Sequence, residues 1–187
     1  AVEADLVIGI PDSATSAAIG YSQESKIPYA EGLVKNRNVG RTFIEPDQRM
    51  RELGVRTKFN PLPEVISGKR IIVVDDSIVR GTTTPHVVGL LRKSGAKEVH
   101  MRVCAPPIVS PCHFGVDFAT RRELIAATLN VNEVCKFIGA DSLGHLSVEG
   151  LFRALGKEKG QYCHGCFTGS YPIDIQLDLD KFALEGN

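Results

Sequence analysis

Asp75 and Asp76 stand side by side at the end of the apolar run Ile71 to Val74, within the string RIIVVDDSIVRGTTT. Two adjacent carboxylates repel each other, so they need cationic or hydroxyl partners. Two partners suit them. Mg²⁺ takes one or two carboxylates together with waters and ligand oxygens. A sugar diol donates hydrogen bonds to carboxylates. Just beyond, Arg80, Gly81, Thr82 and Thr83 open a helix whose unpaired N–H groups and hydroxyls suit an anion. Carboxylates for a ribose and amides for a phosphate, a few residues apart, describe a ribose 5-phosphate. A plain turn and helix cap after a strand is the simpler reading of the two aspartates alone.

Three further groups of residues could carry chemistry. Gly9-Ile-Pro-Asp-Ser13 ends another apolar run, and its loop, with Asp12 and Ser13, could offer N–H groups to a second anion or simply start a helix. Lys35, Arg37 and Arg41 put three cations within seven residues around Gly40. They read as a solvated basic loop, or as a lid closing over a highly anionic substrate and excluding water. Cys163-x-x-Cys166 has metal-ligand spacing. It also fits a redox pair or two buried thiols. A zinc ribbon would need a second such pair, which the sequence lacks.

Strands and helices must hold these residues. Leu6 to Ile10 and Ile71 to Val74 read as continuous apolar, buried parallel strands, and Val99 to Val103 as another strand. Asp12 or Ser13 can cap a helix carrying Ala17, Ala18 and Tyr21. Thr82 or Thr83 can cap a second, with Pro85 in its first turn, a stripe of Val87, Val88, Leu90 and Leu91, and a stop at Ser94-Gly95. Strand, helix, strand at this spacing predicts an α/β fold with a mostly parallel sheet, over residues 1–107. In open parallel sheets, ligands bind beyond the carboxyl ends of the strands, and Asp75 and Asp76 fall there. Residues 108–187 read as a helical C-terminal extension. Thr120 to Glu123 forms a capping-box pattern, Asn130 with Glu133 starts a helix, and Ser147 caps another bearing Leu151, Phe152 and Leu155. Lys157 to Gly160 reads as an exposed loop.

The bulk numbers set outer bounds. The 187 residues suit one domain, or one domain with an appendage, and 43% hydrophobic with 24% charged residues is ordinary for a globular protein. Basic and acidic residues both number 22, giving a formal net charge of +0. That argues against nucleic acid or an anionic membrane as the main partner. No apolar run approaches the roughly 20 residues that span a bilayer. Five cysteines without a secretory leader read as intracellular thiols or metal ligands, not a disulfide framework. Cys104, in a predicted strand, reads as core. The expected setting is cytoplasmic, or a plastid in a plant. The start at Ala1-Val2 reads as that of a fragment.

The string VVDDSIVRGTTT resembles the phosphoribosyl-pyrophosphate (PRPP) loop of type I phosphoribosyltransferases. The resemblance implies ribose contacts at Asp75 and Asp76, with Ser77 beside them in the substrate site. It implies a 5-phosphate wrapped by Ile78, Val79, Arg80, Gly81, Thr82 and Thr83. Asp12 and Ser13 fall in the matching pyrophosphate loop, and Mg²⁺ is implied at Ser13, Asp75 and Asp76. KNRNVGRTFIEP is similar to the flexible loop of the glutamine PRPP amidotransferases of the iron–sulfur type, departing at Asn38, where an aromatic residue is usual. Matches continue through Gly95 to His100, Ala105 to Ile108, Glu123 to Ala126, Ile138 to Asp141, Leu146 to Gly150 and Cys163 to Pro172, all in the family's order.

This family resemblance implies phosphoribosyl transfer from PRPP to ammonia, drawn from glutamine in the full enzyme. The products are 5-phosphoribosylamine and pyrophosphate, in the first step of purine biosynthesis. Lys35, Arg37 and Arg41 become the catalytic lid. Cys112, Cys163 and Cys166 match three ligands of a 4Fe–4S cluster, the fourth lying upstream of Ala1; Cys104 and Cys135 match none. The implied partners are a glutaminase domain absent from this chain, purine nucleotides as feedback inhibitors, and further copies in a tetramer. Without the family's amino-terminal Cys, glutaminase activity is not expected of this chain alone. A PRPP-sensing regulator or another type I phosphoribosyltransferase is the alternative.

Overall fold

The structure is a computed structural model, and it describes residues 2–36, 58–116 and 120–174. Four parallel strands make the main sheet: β1 (Leu6–Gly9), β4 (Arg70–Asp75), β5 (Glu98–Val103) and β6 (Ser142–His145), in the spatial order β1-β4-β5-β6. Every residue of β1 is buried, and all of β4 except Arg70. This is why both read as continuous apolar runs: helices cover a parallel sheet on its faces, so neither side of a strand meets water. Val7, Ile8, Ile71, Ile72, Val73, Val99 and Met101 are fully enclosed at the centre.

Registers align the strand ends. Gly9 lies beside Val74, Asp75 beside Val103, and Val103 beside His145. The loops leaving β1 and β4 therefore emerge next to each other. On the free side of β1, Pro28 to Ala30 adds a short parallel bridge through Tyr29. An antiparallel pair, β2 (Leu33–Lys35) and β3 (Phe59–Pro61), forms a separate small sheet.

The helices differ from expectation mainly at their starts. The first spans Thr15–Ser25 and its N-cap is Ala14, so neither Asp12 nor Ser13 caps it. The Ala14 N–H already donates to the Ile10 carbonyl, closing a turn that delays the helix by two residues. The second spans Thr83–Lys93 behind Thr82, with no side-chain cap. The Thr120–Glu123 pattern yields a three-residue 3₁₀ turn, Arg121–Glu123, instead of a capped α-helix. Its acid is drawn off to Arg80 and to the Thr120 hydroxyl. By contrast, Asn130 and Glu133 complete a reciprocal capping box on the helix Val131–Ile138. Ser147 caps the helix Val148–Leu155 through the Gly150 N–H. Between these two helices runs β6, a strand the sequence did not announce, which completes the main sheet. Its four residues are all half-buried, and Gly144 and His145 break the apolar pattern by which buried strands are recognised.

Candidate functional site

Asp75 is the last residue of β4 and is only 8% exposed, whereas Asp76 faces solvent. One Asp75 carboxylate oxygen accepts the Asp76 N–H at 2.9 Å, and the Ser77 hydroxyl donates to Asp76 at 2.9 Å. The Asp75 carbonyl accepts both the N–H and the thiol of Cys104. Burial, and then the charge of Asp76, push the Asp75 carboxyl up to about 7, while Lys58 beside β3 works the other way. The site thus holds one carboxyl poised near neutrality and one in water, ready for a polyhydroxylated or cationic partner.

The turn beyond them is shaped by backbone. Ile78 is buried, and Gly81 is buried with φ of +68°. A β-carbon on Gly81 would lie 2.6 Å from the Ile125 side chain, so only glycine suits both the conformation and the space. Val79 accepts a hydrogen bond from the Ile125 N–H at 3.0 Å. Thr82 and Thr83 are exposed, and neither hydroxyl is spent on capping the helix they open. The Arg80 guanidinium donates through Nε and Nη2 to Glu123.

The loop after β1 arrives from the neighbouring strand, its Ile10 N–H donating to the Val74 carbonyl. Its Pro11–Asp12 peptide bond is cis, and Asp12 and Ser13 are exposed. Lys35, at the end of β2, reaches Asp12 with Nζ–Oδ2 at 2.7 Å. The structure thus joins Lys35 to this loop. Arg37 and Arg41 lie outside the described residues. Beside the turn after β4, Ile78, Pro107, Ile125, Leu129, Val134 and His145 line a mostly apolar pocket of about 190 Å³. Burial holds His145 below its ordinary pKa and therefore neutral near pH 7.

The cysteines separate into two sets. Cys104 packs half-buried against the main core. Cys112 and Cys166 pack with Phe167 around Ile108 and Leu124 in a second, smaller core. Burial raises the Cys166 thiol, and so do the charges of Cys112 and Cys163. The Cys166 carbonyl accepts the N–H groups of Val109 and Ser110, which ties the helix Gly165–Thr168 to the segment carrying Cys112. Three soft donors thus share one neighbourhood, which fits a thiolate-held cluster in kind. Their side chains do not form a closed cage: among the described residues, no three of His, Cys, Asp or Glu stand where they could hold a metal ion. The acidic pair, with at most two carboxylates, suits an ion that draws its other oxygens from a ligand and water.

Two contributors escaped the sequence reading. Glu123 is paired with Arg80 across 43 residues, and Lys58, just before β3, bears on Asp75. Neither relation has a local pattern. Glu123 showed only as the acid of a capping box.

No protein-family model matches the chain. An amidophosphoribosyltransferase of Synechocystis sp. is 56% identical over 174 residues, 93% of this chain and 35% of its own length. One from Methanocaldococcus jannaschii is 53% identical over 95% of this chain and 37% of its own length. Two solved structures superpose with a TM-score of 0.83 at 52% identity over 95% of this chain. One is described as the allosteric regulatory enzyme of purine biosynthesis, and this chain covers 39% of it. The other is glutamine PRPP amidotransferase from Bacillus subtilis complexed with ADP and GMP, of which the chain covers 40%. The chain spans little more than a third of the curated relatives it matches. Its parallel sheet is that of a type I phosphoribosyltransferase, and over the portion it spans the chain belongs to the amidophosphoribosyltransferase family.

Proposed function

We propose that this chain is the phosphoribosyl-transferring portion of an amidophosphoribosyltransferase, acting in the first step of purine biosynthesis. One observation carries the reading. The ends of β1 and β4 lie side by side, which sets the acidic pair Asp75–Asp76 between two loops suited to anions. PRPP has that sequence of groups: a phosphate, a ribose diol and a pyrophosphate.

Asp75 and Asp76 accept the ribose hydroxyls, with Ser77 orienting Asp76. The N–H groups of Ile78 to Thr83 and the hydroxyls of Thr82 and Thr83 take the 5-phosphate. The loop with Asp12 and Ser13 takes the pyrophosphate, and Lys35, Arg37 and Arg41 close over it. Mg²⁺ held at Ser13, Asp75 and Asp76 would neutralise the leaving pyrophosphate. Ammonia forms the new bond to C1 as the C1–O bond to pyrophosphate breaks, and the oxygen keeps the electron pair. The ammonium so formed loses a proton, giving 5-phosphoribosylamine. No side-chain nucleophile is required; the protein contributes position and electrostatics. The apolar pocket beside Ile78 suits a small uncharged nucleophile better than an ion.

In the full enzyme, a glutaminase domain supplies ammonia from glutamine and water, leaving glutamate. Purine nucleotides, whose phosphates suit the same loops, act as inhibitors, and copies of the chain assemble as a tetramer. Cys112, Cys163 and Cys166 would provide three thiolates of a 4Fe–4S cluster. Relatives named as transferases weigh for an enzyme over a PRPP-sensing regulator.

The test is calorimetric titration of the full-length protein with PRPP and Mg²⁺. Asp75→Asn and Asp76→Asn should each weaken binding by tenfold or more, as expected for a lost charge-assisted bond of about 1.5–3 kcal/mol. Binding unchanged in both variants would remove the ribose site from the acidic pair.

A further inference from the structure

Arg80 lies within the turn that takes the 5-phosphate, and a cation there would ordinarily be assigned to the phosphate. Its hydrogen bonds go elsewhere. Nε and Nη2 both donate to Oε2 of Glu123, at 3.0 and 2.6 Å. The other Glu123 oxygen accepts the Thr120 hydroxyl at 3.0 Å. Both carboxylate oxygens are thus engaged, and the side chain is fixed at each.

The same short segment grips the turn twice more. The Ile125 N–H donates to the Val79 carbonyl, immediately before Arg80. The Ile125 side chain packs against Gly81, immediately after it. An ion pair, a backbone hydrogen bond and an apolar contact therefore hold three consecutive residues, 79, 80 and 81, from one side. Thr82 and Thr83, next along the chain, stay exposed and uncommitted to the helix. A phosphate seeking Arg80 would have to strip the guanidinium from a carboxylate. A phosphate using the N–H groups and threonines would find the turn already shaped.

We infer that Glu123 is a positioning residue for the 5-phosphate turn, and that Arg80 is its anchor point and not a phosphate ligand. The inference rests on the reading of this turn as the 5-phosphate site. Preorganisation of this kind lowers the ordering cost of binding without adding any contact to the ligand. It therefore acts on affinity for the phosphate-bearing end and little on turnover once PRPP is bound.

The experiment uses the full-length protein with Arg80→Ala, Glu123→Ala, Glu123→Gln and the double alanine variant. Ribose 5-phosphate and inorganic pyrophosphate are titrated separately, followed by steady-state kinetics with PRPP. Glu123→Ala should weaken ribose 5-phosphate about threefold to fivefold, the scale of a half-exposed ion pair. Pyrophosphate binding should stay unchanged. KM for PRPP should rise by a similar factor with kcat within about twofold, since uniform binding is lost. Arg80→Ala should match it, the double variant should be no worse than either single one, and Glu123→Gln should recover part of the loss. Tighter ribose 5-phosphate binding in Glu123→Ala would mean that the acid competes for Arg80, and would overturn the inference. So would additive losses in the double variant, or a parallel loss of pyrophosphate binding. Failure of the wild-type protein to bind ribose 5-phosphate would refute the site itself, a separate outcome.

Discussion

Asp75 and Asp76 are neighbours in the chain but live in different media. Asp75 is enclosed at the strand end, and its carboxyl is raised to about 7 by burial and then by Asp76; Asp76 stands in water. A pair split in this way presents one enclosed and one solvated carboxyl to the same ligand. Lys35 presents the opposite case. Its ion pair with Asp12 is short but mostly solvated, with side-chain exposures of 33% and 71%. Solvated pairs contribute little to folding. Lys35→Ala should therefore leave stability within about 0.5 kcal/mol. Turnover of PRPP should fall tenfold or more, the scale on which electrostatic stabilisation of a leaving group is lost. Thermal melts beside steady-state rates check this, and equal rates in both proteins would detach Lys35 from the chemistry.

At the scale of elements, β4 is the hub: β1 lies on one side and β5 on the other. The entry to this pairing is pinned by charge. Asp5 accepts the Arg70 N–H at 2.8 Å and the Arg70 guanidinium at 2.8 Å, while Glu3 takes the other arm. These Arg70 hydrogen bonds hold the Asp5 carboxyl down at about 2, against an ordinary 3.8. A depressed folded pKa means stability that is present above the ordinary value and lost as pH falls through the folded one. Asp5→Asn should accordingly lower the melting temperature at pH 7. The gap from wild type should close as the pH is taken from 4 towards 2. A gap that stayed constant would assign the effect to hydrogen bonding without charge.

At the scale of the molecule, two cores divide the labour. The larger one builds the sheet that aligns the loops around Asp75 and Asp76, and the smaller one gathers Cys112 and Cys166. The cysteines stand on segments about fifty residues apart in sequence, joined by the hydrogen bonds to the Cys166 carbonyl. If these thiols hold a 4Fe–4S cluster, anaerobic reconstitution of the full-length protein should give the broad visible absorbance of an iron–sulfur centre, with iron and sulfide bound. Cys163→Ala should abolish it. Zinc bound in place of iron would refute the cluster.

The sequence alone determined whatever depends on local pattern. The strands β1 and β4 were legible as apolar runs, because a strand buried on both faces needs no polar alternation. The acidic pair at the end of β4 and the glycine turn after it were legible as a strand end and helix start because they are written in consecutive residues. The Asn130–Glu133 cap was legible for the same reason. Contacts between distant segments decided the rest. The short strand β6 forms because β5 offers it an edge, not because Ser142 to His145 favours extension. Glu123 abandons the cap its spacing suggested because Arg80, brought near by the packing of Ile125 on the turn, is the stronger partner for a carboxylate. Asp75 and Asp76 are the same residue in sequence; only the end of β4 makes one of them buried and the other wet.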